Sequence, residues 1–89
     1  MIEVEVQVGN ALGLHARAAA RFVHLANSFR SKITVSREGT RVDGKSMLGL
    51  LTLAAARGCR LRLTADGEDE EAAVKQLAEL VRSRFGEER

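Results

Sequence analysis

The sequence predicts an α+β fold, β-α-β-β-α-β-α, in which a four-stranded antiparallel sheet is covered on one face by helices. Short segments that alternate apolar and polar residues are typical of strands with one buried face. Other segments repeat apolar residues at helical spacing, and turns rich in glycine separate the two kinds. Strands with a single apolar face favour an antiparallel sheet. The chain has 89 residues, and we expect one domain over residues 1–89.

The first strand is predicted over residues 2–8, where apolar residues occupy every second position and Gly9-Asn10 follows. From residue 16 to residue 27 the apolar spacing becomes helical. The face of this helix that we expect to be buried comprises Ala16, Ala19, Ala20, Val23 and Ala26. Phe29 is expected to turn into the core after the helix ends.

A hairpin is predicted next, with strands over residues 32–37 and 40–43. Ile33 and Val35 alternate with polar residues and are expected to point inward. Glu38-Gly39 between the strands is typical of a tight turn.

A short helix is predicted from residue 47 to about residue 53, with Ser46 as its N-cap. Its apolar residues lie nearly all round the helix and comprise Met47, Leu48, Leu50 and Leu51. One small helix cannot bury all of them, so an exposed apolar patch that contacts a partner is expected. Packing of Met47, Leu48 and Leu51 in the core is the alternative.

The last strand carries Leu61, Leu63 and Ala65 in alternation with polar residues. Acidic residues 68–71 follow at the start of another helix, where the helix dipole favours negative charge. The apolar stripe of this helix is expected to continue to Phe85 and comprises Ala73, Val74, Leu77, Ala78, Val81 and Phe85. The tail, residues 86–89, is expected to be frayed.

Composition argues against several classes of protein. The net charge is +2, from 14 basic and 12 acidic residues, which is too balanced for a polycation. Cys59 is the only cysteine, so an intrachain disulfide or a cysteine-based zinc site is excluded, which fits a reducing cytosol. The N-terminus has no apolar run typical of a signal peptide, and no stretch is long enough to cross a bilayer. We therefore expect a cytoplasmic protein without membrane insertion.

The segment Gly13-Leu14-His15-Ala16-Arg17-Ala18 places a histidine after a glycine turn and at the start of a helix. A helix N-terminus presents unpaired N–H groups and partial positive charge, which favour an anion such as phosphate. A neutral ring nitrogen of His15 can attack a phosphoryl group and hold it as a phosphoramidate. The backbone N–H groups of Ala16 and Arg17, with the Arg17 guanidinium, would bind the transferred oxygens. The motif predicts a phosphoryl carrier, although a helix-terminal histidine that only packs or hydrogen-bonds is the alternative.

The remaining sequence does not complete an active site. No acid lies near His15 along the chain to act as a general base, and no phosphate-binding glycine loop or magnesium-binding carboxylate set is present. His24 is too far along the same helix to share a metal with His15, so we expect no metal and no cofactor. The sequence therefore predicts a carrier that acts between enzymes and is not an autonomous catalyst.

The chain resembles the HPr phosphocarrier family of the bacterial phosphoenolpyruvate-dependent sugar phosphotransferase system over essentially its whole length. Residues 10–17 are similar to the active-site signature of that family, with His15 and Arg17 in the matching places. Residues 45–50 resemble the signature around the family's regulatory serine, here Ser46. The resemblance implies an open-faced sandwich with strand order 1-4-2-3.

The resemblance also implies partners. Enzyme I, charged by phosphoenolpyruvate, would phosphorylate His15 on Nδ1, and His15 would pass the group to IIA domains of sugar permeases. In many bacteria an HPr kinase/phosphorylase modifies the serine that matches Ser46, which weakens sugar uptake and can recruit a catabolite-control transcription regulator. The docking surface implied for these partners comprises Ala20, His24, Asn27, Met47, Leu48, Gly49, Leu51 and Thr52. A monomer is the simplest state of such a carrier.

Two positions depart from the family pattern. Ala18 stands where proline is usual, and Leu12 stands where a small polar residue is frequent. Alanine is an excellent helix former, so the helix is expected to survive, but the rigidity of the His15 turn and the hydrogen bonds to its ring can differ.

Two questions stay open: the role of Ser46 and the choice between the carrier function and two other functions. Ser46 is either a helix cap worth about 1 kcal/mol or a regulatory phosphorylation site, and its sequence context favours the cap. The resemblance implies a second functional candidate, a regulatory HPr-like protein that acts in nitrogen or catabolite control mainly by partner binding. A small nucleic-acid-binding α/β module is the third, but the predicted strands lack aromatic residues on which bases could stack.

Overall fold

The computed structural model describes residues 1–87 and has the predicted α+β architecture. Its strands are β1 (Ile2–Gln7), β2 (Lys32–Arg37), β3 (Thr40–Asp43) and β4 (Arg60–Asp66). Its helices are α1 (Ala16–Ala26), α2 (Met47–Thr52) and α3 (Glu70–Arg82), and one 3₁₀ turn, Arg84–Gly86, follows α3. The strands form an antiparallel sheet in the order β1-β4-β2-β3, which confirms the fold class and the strand order. Within residues 1–87 no helix has the length and hydropathy needed to span a membrane.

The sheet buries one face and exposes the other, which makes it an open-faced sandwich. On the inner face Val6 lies opposite Leu61, and the two side chains are 3% and 2% exposed. On the outer face a carboxylate oxygen of Glu3 lies 3.6 Å from the Arg62 guanidinium in a solvated ion pair. Such pairs contribute about 0–1 kcal/mol, so burial of the inner face dominates the stability of the sheet.

The buried face of α1 leaves two of the predicted residues exposed and includes two residues that were not predicted. Ala19 and Ala26 are fully buried as predicted, whereas Ala16 and Ala20 are exposed. The buried residues are Ala18, Ala19, Phe22 and Ala26. Phe22 offers far more apolar area than an alanine, so its burial decides which side of the helix faces the sheet.

Helix α2 has more apolar residues than the core can take, as predicted. Leu50 and Leu53 are 1% and 4% exposed, whereas Leu48 is 75% exposed and Leu51 is 39% exposed. The helix stops before the alanine run at residues 54–56, because Ala54 adopts a left-handed conformation with φ 50°. The two exposed leucines, Leu48 and Leu51, therefore lie on a short helix that ends at Thr52.

The chain after α3 reverses direction. All residues of the predicted stripe to Phe85 are buried, but the helix ends before Phe85, and residues 86 and 87 are hydrogen-bonded where a frayed tail was predicted. The helix ends at Arg82, and both Arg84 and Phe85 have left-handed backbones, with φ 60° and 56°. This turn buries Phe85 completely, and the Arg21 guanidinium donates a hydrogen bond to its carbonyl oxygen. Residues 86 and 87 are placed by this anchor, and residues 88 and 89 lie outside the described part of the chain.

Candidate functional site

The turn before α1 is held by backbone hydrogen bonds. The Gly13 N–H donates to the carbonyl oxygen of Asn10 at 3.1 Å, and the Leu14 N–H donates to that of Ala55 at 2.8 Å. Gly13 has φ 67°, and a Cβ atom at this position would lie 2.5 Å from the Ala55 carbonyl oxygen. Only glycine meets both conditions, so the predicted glycine turn is locked against the segment that follows α2.

His15 is the N-cap residue of α1, and its ring acts as the cap. Its backbone is extended, with φ −83° and ψ 179°, and its carbonyl oxygen accepts a hydrogen bond from the Ala19 N–H at 2.8 Å. The ring Nδ1 accepts a hydrogen bond from the Arg17 N–H at 3.3 Å. A ring nitrogen that accepts an N–H carries no proton, so the neutral ring has its proton on Nε2. Nδ1 therefore presents a lone pair at the N-terminus of α1.

Glu87 lies against the other ring nitrogen, and sequence reasoning did not find this residue. Its Oε2 is 2.7 Å from Nε2 of His15, and the two side chains are 13% and 24% exposed. The two residues are separated by 72 positions, so proximity along the chain could not indicate the contact. The available signal was Phe85, because an apolar residue just beyond a helix predicts that the tail packs on the core.

The surroundings of Glu87 favour its ionised form. Burial by itself would raise the pKa of this carboxyl group. Hydrogen bonds from Asn10 and His15 and the positive charge of Arg17 outweigh burial, so the pKa of Glu87 lies below its ordinary value. A carboxylate therefore faces Nε2, on the edge of the ring remote from Nδ1.

The two backbone N–H groups predicted to bind an anion are in different states. The Ala16 N–H has no acceptor within residues 1–87, as is usual for the first residue of a helix. The Arg17 N–H is already bonded to Nδ1 of His15. Both residues are exposed, so an anion that approaches Nδ1 would meet one free donor and a second that becomes free when Nδ1 uses its lone pair.

Ser46 is the N-cap of α2, which confirms that prediction. Its Oγ accepts a hydrogen bond from the Gly49 N–H at 3.0 Å, and its carbonyl oxygen accepts one from the Leu50 N–H at 3.0 Å. The residue is half-buried, and its phosphorylation stays a prediction.

The residues of the docking surface lie on α1 and α2, two helices that pack against each other, and on the residue that follows α1. The exposed members are Ala20, His24, Asn27, Leu48, Leu51 and Thr52, and the half-buried members are Met47 and Gly49. Contact of a partner with this surface stays a prediction.

Two other predicted positions are separate from the His15 site. His24 is exposed in the last turn of α1, and Cys59 is half-buried just before β4. In the described part of the chain, no three histidine, cysteine or acidic side chains are grouped so that they could hold a metal ion.

Comparison with known proteins shows one family. Residues 2–83 match the family model described as the phosphorylation site of the PTS HPr component. The phosphocarrier protein HPr of Xylella fastidiosa is 46% identical over 99% of both chains. A crystal structure of HPr from Thermoanaerobacter tengcongensis covers 100% of both chains with a TM-score of 0.96 and 44% identity. A crystal structure of Crh, a Bacillus subtilis catabolite repression protein described as a dimer with a swapped domain, covers 94% of this chain and 97% of its own, with a TM-score of 0.77 and 40% identity.

Proposed function

The chain belongs to the HPr family of phosphocarrier proteins, and on that premise we propose that His15 carries the phosphoryl group. His15 would accept the group from enzyme I charged by phosphoenolpyruvate and pass it to IIA domains of sugar permeases. The observation that carries this proposal is the orientation of the ring, with the lone pair of Nδ1 at the N-terminus of α1 and Nε2 held by Glu87. A protein of this kind acts between enzymes and is not a catalyst by itself.

The chemistry follows from the groups around Nδ1. As Nδ1 forms its bond to phosphorus, the bond between phosphorus and the donor breaks, and its electron pair leaves with the donor. The Arg17 N–H then loses its acceptor and can donate to a phosphoryl oxygen, beside the Ala16 N–H, which has no acceptor among residues 1–87. Hydrogen bonds to a charged oxygen contribute about 1.5–3 kcal/mol each, and the exposed Arg17 guanidinium adds positive charge.

The exposed leucines of α2 support a protein partner close to this site. Leu48 is 75% exposed and belongs to a helix that packs against α1, the helix capped by His15. Exposed apolar patches on soluble proteins are typical of surfaces that bind a partner. We therefore assign enzyme I and the IIA domains to the docking surface.

Modification of Ser46 would regulate this docking. Its Oγ lies at the start of α2, so a phosphate there would add about −1.5 to −2 charge next to the exposed leucines. The added charge would have to be desolvated whenever an apolar partner surface covers α2. This cost supports a kinase switch that weakens sugar uptake.

A second candidate is a regulatory protein that acts mainly by binding partners. The similarity to Crh, whose description names catabolite repression, favours this candidate. The regulatory function requires Ser46 and the exposed leucines of α2, but it does not require phosphorylation of His15.

The deciding experiment is the intact mass after incubation with phosphoenolpyruvate, magnesium and the enzyme I of the same organism. We expect a gain of one phosphoryl group that is lost in acid and absent from His15→Ala. His24→Ala is the matched control, because His24 is exposed on the same helix, and it should be charged normally. No gain with an active cognate enzyme I would overturn the carrier function and leave the regulatory candidate.

A further inference from the structure

We propose that Glu87 is a positioning residue for His15, because its carboxylate holds the imidazole in the form that is protonated on Nε2. This inference rests on the proposed phosphoryl transfer at His15. Oε2 of Glu87 lies 2.7 Å from Nε2, and the Arg17 N–H lies 3.3 Å from Nδ1. A carboxylate only accepts hydrogen bonds, so its contact requires the proton on Nε2, whereas an N–H only donates and requires a lone pair on Nδ1. The two contacts specify the same tautomer from opposite edges of the ring.

Buried groups fix the carboxylate. Asn10 is fully buried, and its Nδ2 donates to Oε1 of Glu87 and to the carbonyl oxygen of Gly13, both at 2.7 Å. Both partners are acceptors, which determines the orientation of the amide. By contrast, the outer-face pair of Glu3 and Arg62 has both side chains more than half exposed, at 53% and 56%. The Glu87 contact is therefore part of a built site and is not a solvated surface pair.

The chain after α3 places Glu87 independently of His15. Phe85 is fully buried, and the Arg21 guanidinium donates to its carbonyl oxygen. The Glu87 N–H donates to the carbonyl oxygen of Arg84 at 2.9 Å. Left-handed backbones are unfavourable for residues other than glycine, as at Arg84 and Phe85, and burial of the phenyl ring offsets this cost. The tail conformation is thus determined by the core, and the carboxylate is in place before any transfer occurs.

The carboxylate also faces the charge that develops during transfer. When Nδ1 forms its bond to phosphorus and the donor leaves with its electron pair, Nε2 keeps its proton and the ring becomes cationic. The Nε2–H lies against Oε2 of Glu87, so the negative charge of the carboxylate stabilises the cationic ring. An interaction that strengthens as the transition state forms lowers the barrier, which is the role of the carboxylate behind a catalytic histidine.

The test combines ring ¹⁵N NMR of the full chain with the rate of transfer from charged enzyme I. Spectra are recorded at a series of increasing pH values and compared where the ring signals of both histidines no longer change with pH, so that only neutral rings are compared. We expect His15 of the wild type to be protonated on Nε2, and Glu87→Ala to give a mixture of tautomers and transfer slowed about tenfold or more. Glu87→Gln, whose amide oxygen can accept from Nε2–H, should keep the tautomer and recover part of the rate. His24 is the internal reference for the spectra, and Glu79→Ala, on the exposed face of α3, is the matched charge control.

Each other result has a defined meaning. Slower transfer with unchanged His15 ring signals would place Glu87 in partner docking and overturn the inference, as would altered ring signals with an unchanged rate. A wild-type protein that gains no phosphoryl group, but whose ring signals respond to Glu87→Ala, would overturn the proposed function and leave the contact established. Should Glu87→Ala not fold, Glu87→Asp replaces it, because its shorter side chain withdraws the carboxylate from Nε2.

Discussion

Gly13 and Ala55 lie so close together that a Cβ atom on Gly13 would be 2.5 Å from the carbonyl oxygen of Ala55. The same carbonyl oxygen accepts a hydrogen bond from the Leu14 N–H at 2.8 Å. The turn that presents His15 therefore takes its position from the segment after α2 as well as from α1. This contact holds the turn before His15 against the chain that leaves α2.

Gly13→Ala is expected to destabilise the fold and slow the charging of His15. The left-handed backbone at this position, φ 67°, costs a non-glycine residue about 1–2 kcal/mol, and the collision with Ala55 adds about 1–3 kcal/mol. Urea unfolding measures the first effect, and the rate of transfer from charged enzyme I measures the second.

Gly39→Ala is the matched control for this substitution. Gly39 also has a left-handed backbone, φ 88°, but a Cβ atom there would meet nothing within 4 Å. The control should lose only the conformational part of the stability and transfer at the normal rate. Equal losses in the two variants would contradict a role for the contact with Ala55.

The fold could be predicted from the sequence wherever apolar residues repeat with a clear period. Residues 32–37 and 40–43 form the predicted strands because alternation identifies a half-buried strand without knowledge of its neighbours. The buried face of α1 was harder to predict, because alanines occupy both sides of the helix and the burial of Phe22 selects the side that faces the sheet. Only competition for space in the core selects the side that carries the larger ring.

The site was predictable only in its local part. His15 at a helix start after Gly13 is visible in the sequence because cap and turn are made by neighbours. Glu87 is not visible, since its position depends on the reversal after α3 and on the burial of Phe85. Long-range contacts of this kind follow from the packed core and have no spacing that a sequence pattern can detect.

Leu48→Ser is expected to weaken partner docking without loss of stability. Leu48 is 75% exposed, so its substitution should change the free energy of unfolding by less than about 0.5 kcal/mol. Loss of an apolar contact in a protein interface costs about 1–2 kcal/mol, which corresponds to roughly a tenfold rise in the KM for the protein in the enzyme I reaction. Leu50→Ala is the contrasting variant, because Leu50 is 1% exposed and its truncation should cost about 2–5 kcal/mol of stability. An unchanged KM for Leu48→Ser would remove this residue from the docking surface.

Substitutions at Ser46 are expected to separate its cap function from its proposed regulatory function. Ser46→Ala removes the oxygen that accepts from the Gly49 N–H and should cost about 1 kcal/mol in thermal or urea unfolding. Ser46→Asp keeps a good cap and adds negative charge at the start of α2, so its stability should stay close to that of the wild type. Its rate of charging by enzyme I should nevertheless fall, because the charge lies beside the docking surface. Normal charging of Ser46→Asp would contradict electrostatic control of docking.

Asp69→Asn is expected to reduce stability at neutral pH by an amount that shrinks in acid. The hydroxyl of Ser31 and the N–H of Arg30 donate to the Asp69 carboxylate, and together with the Ser31 N–H they outweigh burial and lower the pKa of Asp69 from 3.8 to about 2. These bonds fasten the start of α3 to the segment between α1 and β2. An amide in this position keeps one acceptor oxygen and loses the charge, so it cannot hold all three donors equally well.

The sign of the pH dependence follows from the lowered pKa. The ionised carboxylate stabilises the fold fully above the unfolded value of 3.8, and this contribution is lost as the pH falls toward about 2. The difference in urea midpoint between the wild type and Asp69→Asn should therefore be constant above about pH 5 and decline below it. Glu70 and Glu87 also have lowered pKa values, but the wild type and Asp69→Asn both retain these residues, so their contributions cancel in the difference. A difference that stays constant down to pH 2 would show that the ionised form of Asp69 does not carry the stabilisation.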